Sequence, residues 1–166
     1  MDRLQRKRRK SRGGGYLVEV KTFIGIDPDL KASGVAIFRD GALQITTLDF
    51  PQLLAVSKVW DEETEIRIEA GWLNKSNFHI KPGMSLQVAA EVGRRVGENH
   101  ATGKLLAECL SKSRATVKLV RPTNKKITEP SVFEKISGIK TLKKEQDKRD
   151  SAMLLFDIWK DKLLKN

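Results

Sequence analysis

The apolar run Phe23-Ile24-Gly25-Ile26, closed by Asp27-Pro28, constrains the fold more than any other stretch of the chain. Four nearly uninterrupted apolar residues that end at a carboxylate and a proline read as a strand buried on both faces, at the centre of a sheet covered by helices. The extended segment is expected to run over 18–26, with Asp27-Pro28 ending it. A carboxylate where such a strand leaves the core is costly unless something compensates its charge, and a bound cation would do so.

Further strands follow from the same reasoning. Gly34–Phe38 and Ala42–Leu48 are β-type runs separated by Arg39-Asp40-Gly41, and Asp-Gly between such runs signals a hairpin. Pro51–Trp60 reads as a short helix. Glu65–Glu69 alternates, with Ile66 and Ile68 on one face. Ala70–Gly83 is rich in Gly, Asn, Ser and Pro and reads as a loop, and Ser85–Leu110 as a long helix. Val117–Val120 is a short strand ended by Arg121-Pro122. Helices are expected over Ser131–Ser137 and, as one element, over about Glu145–Leu164. A meander of three antiparallel strands followed by helix, strand, helix, strand, helix gives an α/β class with a five-stranded mixed sheet, the last two strands parallel. A chain of 166 residues suits one domain, here 16–166, behind a basic arm.

That arm, residues 1–15, joins seven Lys or Arg within Met1–Arg12 to Gly13-Gly14-Gly15, so it buries little apolar surface and is expected to be flexible. It holds +6 of the formal +11, and the remainder is basic too. Such a balance favours a polyanion, because Lys and Arg that neutralise phosphates release condensed counterions. The arm either touches DNA backbone or has no role. No apolar run approaches the ~20 residues needed to span a bilayer, and no apolar stretch follows the basic N-terminus, so no membrane partner and a cytoplasmic location are expected. The one cysteine, Cys109, reads as a buried small hydrophobe beside Leu106 and Leu110. A glycine loop preceding Lys-Ser/Thr is lacking, which excludes a P-loop ATPase.

Phosphodiester cleavage needs charge stabilised on the attacking and leaving oxygens, which two Mg²⁺ ions about 4 Å apart supply in many nucleases. Mg²⁺ selects converging Asp and Glu. Asp27 and Glu69 both end strands, where open α/β sheets place their sites. Asp147 and Asp150, three apart on a helix, lie on the face of Ser151, Leu154, Leu155 and Ile158, with Lys148 and Arg149 directed elsewhere. The bland alternative is that both Asp simply favour a helix N-terminus.

Ile24-Gly25-Ile26-Asp27-Pro28 followed by Ser33-Gly34-Val35-Ala36-Ile37 resembles the opening of RuvC-type Holliday-junction resolvases, nucleases of the RNase H-like fold. Ile68-Glu69 is similar to that family's second acidic position, Asp147-Lys148-Arg149-Asp150 to its C-terminal Asp-x-x-Asp, and Glu91–Gly97 to its glycine-bearing helix. The likeness spans Thr22 to about Ile158. Asp29 departs from it, standing where the family usually has glycine; it reads as a turn residue rather than a ligand.

The resemblance implies a crossover-junction endodeoxyribonuclease in which Asp27, Glu69, Asp147 and Asp150 hold two Mg²⁺ ions, replaceable by Mn²⁺, with Asp27 bridging them. It also implies a homodimer that nicks a four-way DNA junction symmetrically. A nuclease of the same fold acting on flaps, branched DNA or RNA/DNA hybrids, or a non-catalytic DNA-binding module, are the alternatives; four intact carboxylates count against the last. Ala89, Gly93, Gly97 and Ala101 recur every four positions, which suits either a close contact between two copies or packing on the chain's own sheet. Trp72 and Phe78 either stack on unpaired bases or anchor their loop to the core. Lys75, Lys81, Arg94, Arg95, Lys125 and Lys126 are candidate phosphate contacts, and His79 a loop contact to DNA or solvent.

Overall fold

The computed structural model describes residues 9–10, 16–17, 21–74, 81–122, 127 and 129–163. β1 (Arg9–Lys10), in the arm, pairs antiparallel with β2 (Tyr16–Leu17), just beyond it. The main sheet holds β3 (Thr22–Asp27), β4 (Ser33–Arg39), β5 (Ala42–Leu48), β6 (Thr64–Glu69) and β7 (Thr116–Val120), in the order β5-β4-β3-β6-β7. β3, β4 and β5 form the expected antiparallel meander, and β6 and β7 add in parallel. The result is the expected α/β class, a five-stranded mixed sheet of three antiparallel strands with two added in parallel.

β3 is the middle strand, which explains its apolar continuity: Ile24, Gly25 and Ile26 are all buried. The β4–β5 hairpin turns on Asp40 (φ 51°) and Gly41 (φ 81°). Positive φ at both positions of a two-residue loop is the primed geometry that matches strand twist, and Asp and Gly are the residues that tolerate it.

Helices cover both faces. On one side α1 (Phe50–Ser57) and α2 (Leu86–Ser111) bury Leu53, Leu106 and Leu110 against Ile24, Ile26, Val35, Ile66 and Ile68. α1 begins with a reciprocal cap in which the Gln52 amide donates to the Asp49 carboxylate (2.8 Å) and the Asp49 amide to Gln52 Oε1 (2.9 Å). On the other side α3 (Pro130–Ser137), α4 (Gln146–Met153) and α5 (Phe156–Leu163) bury Phe133, Ala152, Leu155 and Trp159 against Ala36 and Phe38. A 3-10 turn, Gly71–Leu73, follows β6.

α2 has 26 residues, but its buried ones, Thr102, Gly103, Leu106 and Leu110, all fall in its second half. The first half extends away from the sheet. Among the described residues nothing lies within 4 Å of where a side chain would begin on Gly93 or Gly97, so these two positions of the small-residue stripe do not pack on the chain's own sheet.

The expected single C-terminal helix is two. Leu154 and Leu155 separate α4 from α5, because side chains take the carbonyls there. The Ala152 carbonyl accepts from the Leu155 amide (3.0 Å) and the Trp159 indole (2.8 Å), and the Leu154 carbonyl accepts from Arg67 Nη1 (3.0 Å). Arg67 also pairs with Asp157 (2.6 Å) and Glu65 (2.9 Å), and Glu65 with Lys118 (2.7 Å), so one ionic chain ties β7, β6 and α5.

α4 rests on β3 and β4 through two glycines. A methyl at Gly25 would fall inside the Ser151 carbonyl, and one at Gly34 inside the carbonyl of Asp147. Gly34→Ala should therefore push α4 off the sheet and cost about 1–3 kcal/mol. Gly93→Ala, on a part of α2 that no described residue of the same chain approaches, should stabilise the single chain, at concentrations too low for self-association, by about 0.8–1 kcal/mol through helix propensity. Urea unfolding of the two variants should give shifts of opposite sign; equal shifts would contradict the close approach.

Glu65 makes a second prediction. Burial pushes its carboxyl up, but hydrogen bonds from Lys118 and Arg67 outweigh that and hold it below the ordinary 4.5. A carboxyl lowered by folding contributes stability above that ordinary value and loses it as pH falls through the lowered one. Glu65→Gln should cost about 1.5–3 kcal/mol at pH 7, the worth of hydrogen bonds to a charged group. Thermal melts should show the gap to wild type closing below about pH 4.5.

Candidate active site at the strand ends

Asp27 is the last residue of β3 and is half-buried. β3 and β6 are parallel with Ile26 beside Ile68, so Asp27 and Glu69 are the next residues on adjoining strands and leave the sheet at the same edge. Alternation fixes their face: Ile24, Ile26, Ile66 and Ile68 point to α1 and α2, which leaves Gly25, Asp27, Arg67 and Glu69 on the side of α4 and α5. The Gly25 approach to α4 and the Arg67 bond to the Leu154 carbonyl confirm that side.

Asp147 joins them through Gly34. Gly34 pairs with Asp27 across the β3–β4 ladder, and the Asp147 carbonyl and Cβ both lie against it. The first turn of α4 is thereby held directly over the neighbour of Asp27. Asp150 lies one turn further along α4, only 4% exposed, and accepts a hydrogen bond from Gln146 Nε2 (2.7 Å).

All four expected carboxylates therefore belong to one edge of the sheet and the helix that crosses it. The donor chemistry suits a hard cation, since each offers carboxylate oxygens from a strand end or an anchored helix. As the side chains are placed, however, no three His, Cys, Asp or Glu among the described residues gather closely enough to hold an ion. The backbone places Asp27 and Glu69 at adjoining strand ends and the start of α4 beside them.

Arg149 overturns an expectation. It does not face away from the core but is fully buried, and it is the hub of the segment before α4. Its guanidinium donates to the carbonyls of Ile127 (3.1 Å), Leu142 (2.7 Å) and Lys143 (3.1 Å), to Thr141 Oγ1 (3.1 Å) and to Gln146 Oε1 (2.9 Å). Five donors in a rigid fork meet five acceptors, so the charge is buried without an orphan. Gln146 links this hub to Asp150. The pattern Asp-Lys-Arg-Asp gave no sign of it, because the partners are mostly main-chain oxygens that any residue carries.

The candidate nucleic-acid contacts divide. Lys75, Phe78, His79, Lys125 and Lys126 lie outside the described residues. Lys81 is exposed at the end of the loop. Arg94 and Arg95 are exposed on the outer half of α2, where both pair with Glu91 and Arg94 also with Glu98. Those guanidiniums hold the Glu91 carboxyl down to about 2. Trp72 is half-buried and packs against the core, edge-on to His100 and over Gly103, so its ring anchors the turn after Glu69.

Asp29 caps its own turn, accepting from the Lys31 amide (2.9 Å), and also accepts from Asn99 Nδ2 (3.3 Å). Asn99 was missed by the sequence reading, since its partner is 70 residues away and no local pattern marks it.

No family model matches the chain, and no curated protein matches it in sequence. Among solved structures it is similar to RuvC of Thermus thermophilus in complex with a Holliday-junction substrate, at 12% identity and a TM-score of 0.37, covering 83% of this chain and 96% of that one. A second RuvC structure from the same organism matches at 14% identity and a TM-score of 0.37, over 84% of this chain and 97% of the other.

Proposed function

We propose that this chain is a metal-dependent endonuclease that resolves four-way DNA junctions. One observation supports the reading: Gly34, the ladder partner of Asp27, is the seat of the Asp147 backbone, so the start of α4 lies over the end of β3, next to the strand that ends at Glu69.

In this reading Asp27, Glu69, Asp147 and Asp150 hold two Mg²⁺ ions, with Mn²⁺ able to substitute; the metals would neutralise charge on the attacking and leaving oxygens. The chain's own part is positional. β3 and β6 fix two ligands on rigid strand ends, and α4, seated on Gly25 and Gly34, fixes the other two. Gln146 orients Asp150 through its amide, an outer contact of the kind that tunes ligands. The net positive charge supports attraction to the DNA backbone.

Cutting both strands of a junction in step calls for two copies. The face of α2 at Ala89, Gly93, Gly97 and Ala101 supports a homodimer, because small side chains let two helices approach closely and none of the described residues covers Gly93 or Gly97.

Two measurements test the proposal. Wild type and Asp27→Asn are incubated with a four-way junction, a flap and an RNA/DNA hybrid, with Mg²⁺ or with chelator. The expected result is paired symmetric nicks in the junction, abolished by chelator and reduced by more than about 100-fold in the variant, beyond what loss of a ligand's outer partner costs. Preferred cutting of flap or hybrid would move the substrate assignment, and tight binding without cleavage of any substrate would sink the nuclease reading. Separately, sedimentation should show a dimer that Gly97→Arg dissociates, with paired nicks becoming single ones; a wild-type monomer on the junction would remove the dimer.

A further inference from the structure

One turn of α2 touches the chain just beyond both strand-end carboxylates. Asn99 accepts from the Leu30 amide (3.3 Å) and donates to Asp29 Oδ2 (3.3 Å), three and two residues after Asp27. His100 lies against Gly71, two residues after Glu69, and Gly103 seats Pro28 and Trp72 together. The other side-chain hydrogen bonds of the loop between β3 and β4, among the described residues, are local: Lys31 N–H donates to Asp29 Oδ1 (2.9 Å), and Asp29 N–H to the hydroxyl of buried Ser33 at the start of β4 (3.3 Å).

Asp27 is the last paired residue of β3, so the ladder fixes the chain before it and the loop fixes the chain after it. Where Pro28, Asp29 and Leu30 are held therefore bears on how the Asp27 backbone leaves the sheet. Among the described residues, Asn99 is the side chain that hydrogen-bonds the loop to another element. Its two bonds use opposite ends of one amide, the oxygen toward Leu30 and the nitrogen toward Asp29, so neither a hydrophobe nor a carboxylate can replace it. The same turn marks the point where α2 passes from its exposed half, with Arg94 and Arg95, into its buried half.

We propose that Asn99 is a positioning residue, locking the Asp27 loop to α2 through Asp29 so that the carboxylate stands ready for its cation. The inference rests on the nuclease reading, and it explains the aspartate that follows Asp27-Pro28. Asp29 serves Asn99 and its own turn rather than the metal.

The bond pattern permits a reciprocal test. Asn99→Asp sets two carboxylates against each other. Combined with Asp29→Asn, the amide and the carboxylate have merely changed places, and all three bonds, to Leu30, to Lys31 and between the side chains, can form again. The four proteins (wild type, N99D, D29N and the double exchange) are compared for single-turnover junction cleavage across a Mg²⁺ titration, junction affinity in chelator, thermal midpoint, and hydrogen exchange at the Leu30 and Lys31 amides.

N99D should cut about 10–100-fold more slowly, as outer partners of metal ligands do when removed. Its affinity and thermal midpoint should stay near wild type while the Leu30 amide loses protection. The double exchange should restore cleavage to within about threefold and the protection with it. Failure of the exchange to restore either readout overturns the proposal. So does a matching loss of junction affinity in N99D, which would place Asn99 on the DNA. A D29N protein that stays inactive in the double exchange would make the Asp29 carboxylate itself a ligand. If wild type cuts nothing, the nuclease reading fails and the exchange data alone decide the lock. Protection lost in N99D and regained in the exchange upholds it, and unchanged protection overturns it.

Discussion

The seating of α4 on Gly25 and Gly34 is the contact on which the rest of the arrangement depends. A helix normally stands off a sheet by the width of its side chains. Here two strands lack them at neighbouring positions, and the helix backbone comes down onto the strand backbone. That depth brings Asp147 level with the end of β3 and buries Ala152 and Leu155 against Ala36 and Phe38. The break after α4 follows from the same descent, since the Leu154 carbonyl comes within reach of Arg67 on β6. Site and second core are two results of one close approach.

Electrostatics reinforces this from the other side of the break. Glu65, Arg67, Lys118 and Asp157 link β7, β6 and α5 with distances of 2.6 to 2.9 Å. Because Arg67 also caps a helix carbonyl, it is a mechanical tie as much as an ion pair. Arg149 does the corresponding work before α4, where a fully buried charge is satisfied by three main-chain carbonyls and two side-chain oxygens. α4 is thus held by an arginine at each end and by glycines beneath.

Much of this was legible in the residues. The buried run before Asp27 identified the central strand, Asp40-Gly41 the hairpin, and alternation over Glu65–Glu69 the face that Glu69 occupies. These are local signals with a local cause: periodicity, turn chemistry, a proline. What stayed hidden depends on partners far along the chain. The interruption at Leu154 needs Arg67 and Trp159, the burial of Arg149 needs carbonyls at positions 127, 142 and 143, and the role of Asn99 needs Asp29. The stripe on α2 left two readings open because a single sequence cannot say which face of a helix meets its own sheet; Leu106 and Leu110 take that place, and the glycines do not.

The way Arg149 is satisfied bears on how such a protein can change over time. Leu142 and Lys143 offer it only their carbonyl oxygens, while their side chains are exposed. Shape and surface chemistry are therefore separately adjustable in this turn. Substitutions there can alter its charge and bulk beside α4 while the arginine keeps the backbone in place, so the rim of the site is free to diversify around a fixed acidic centre.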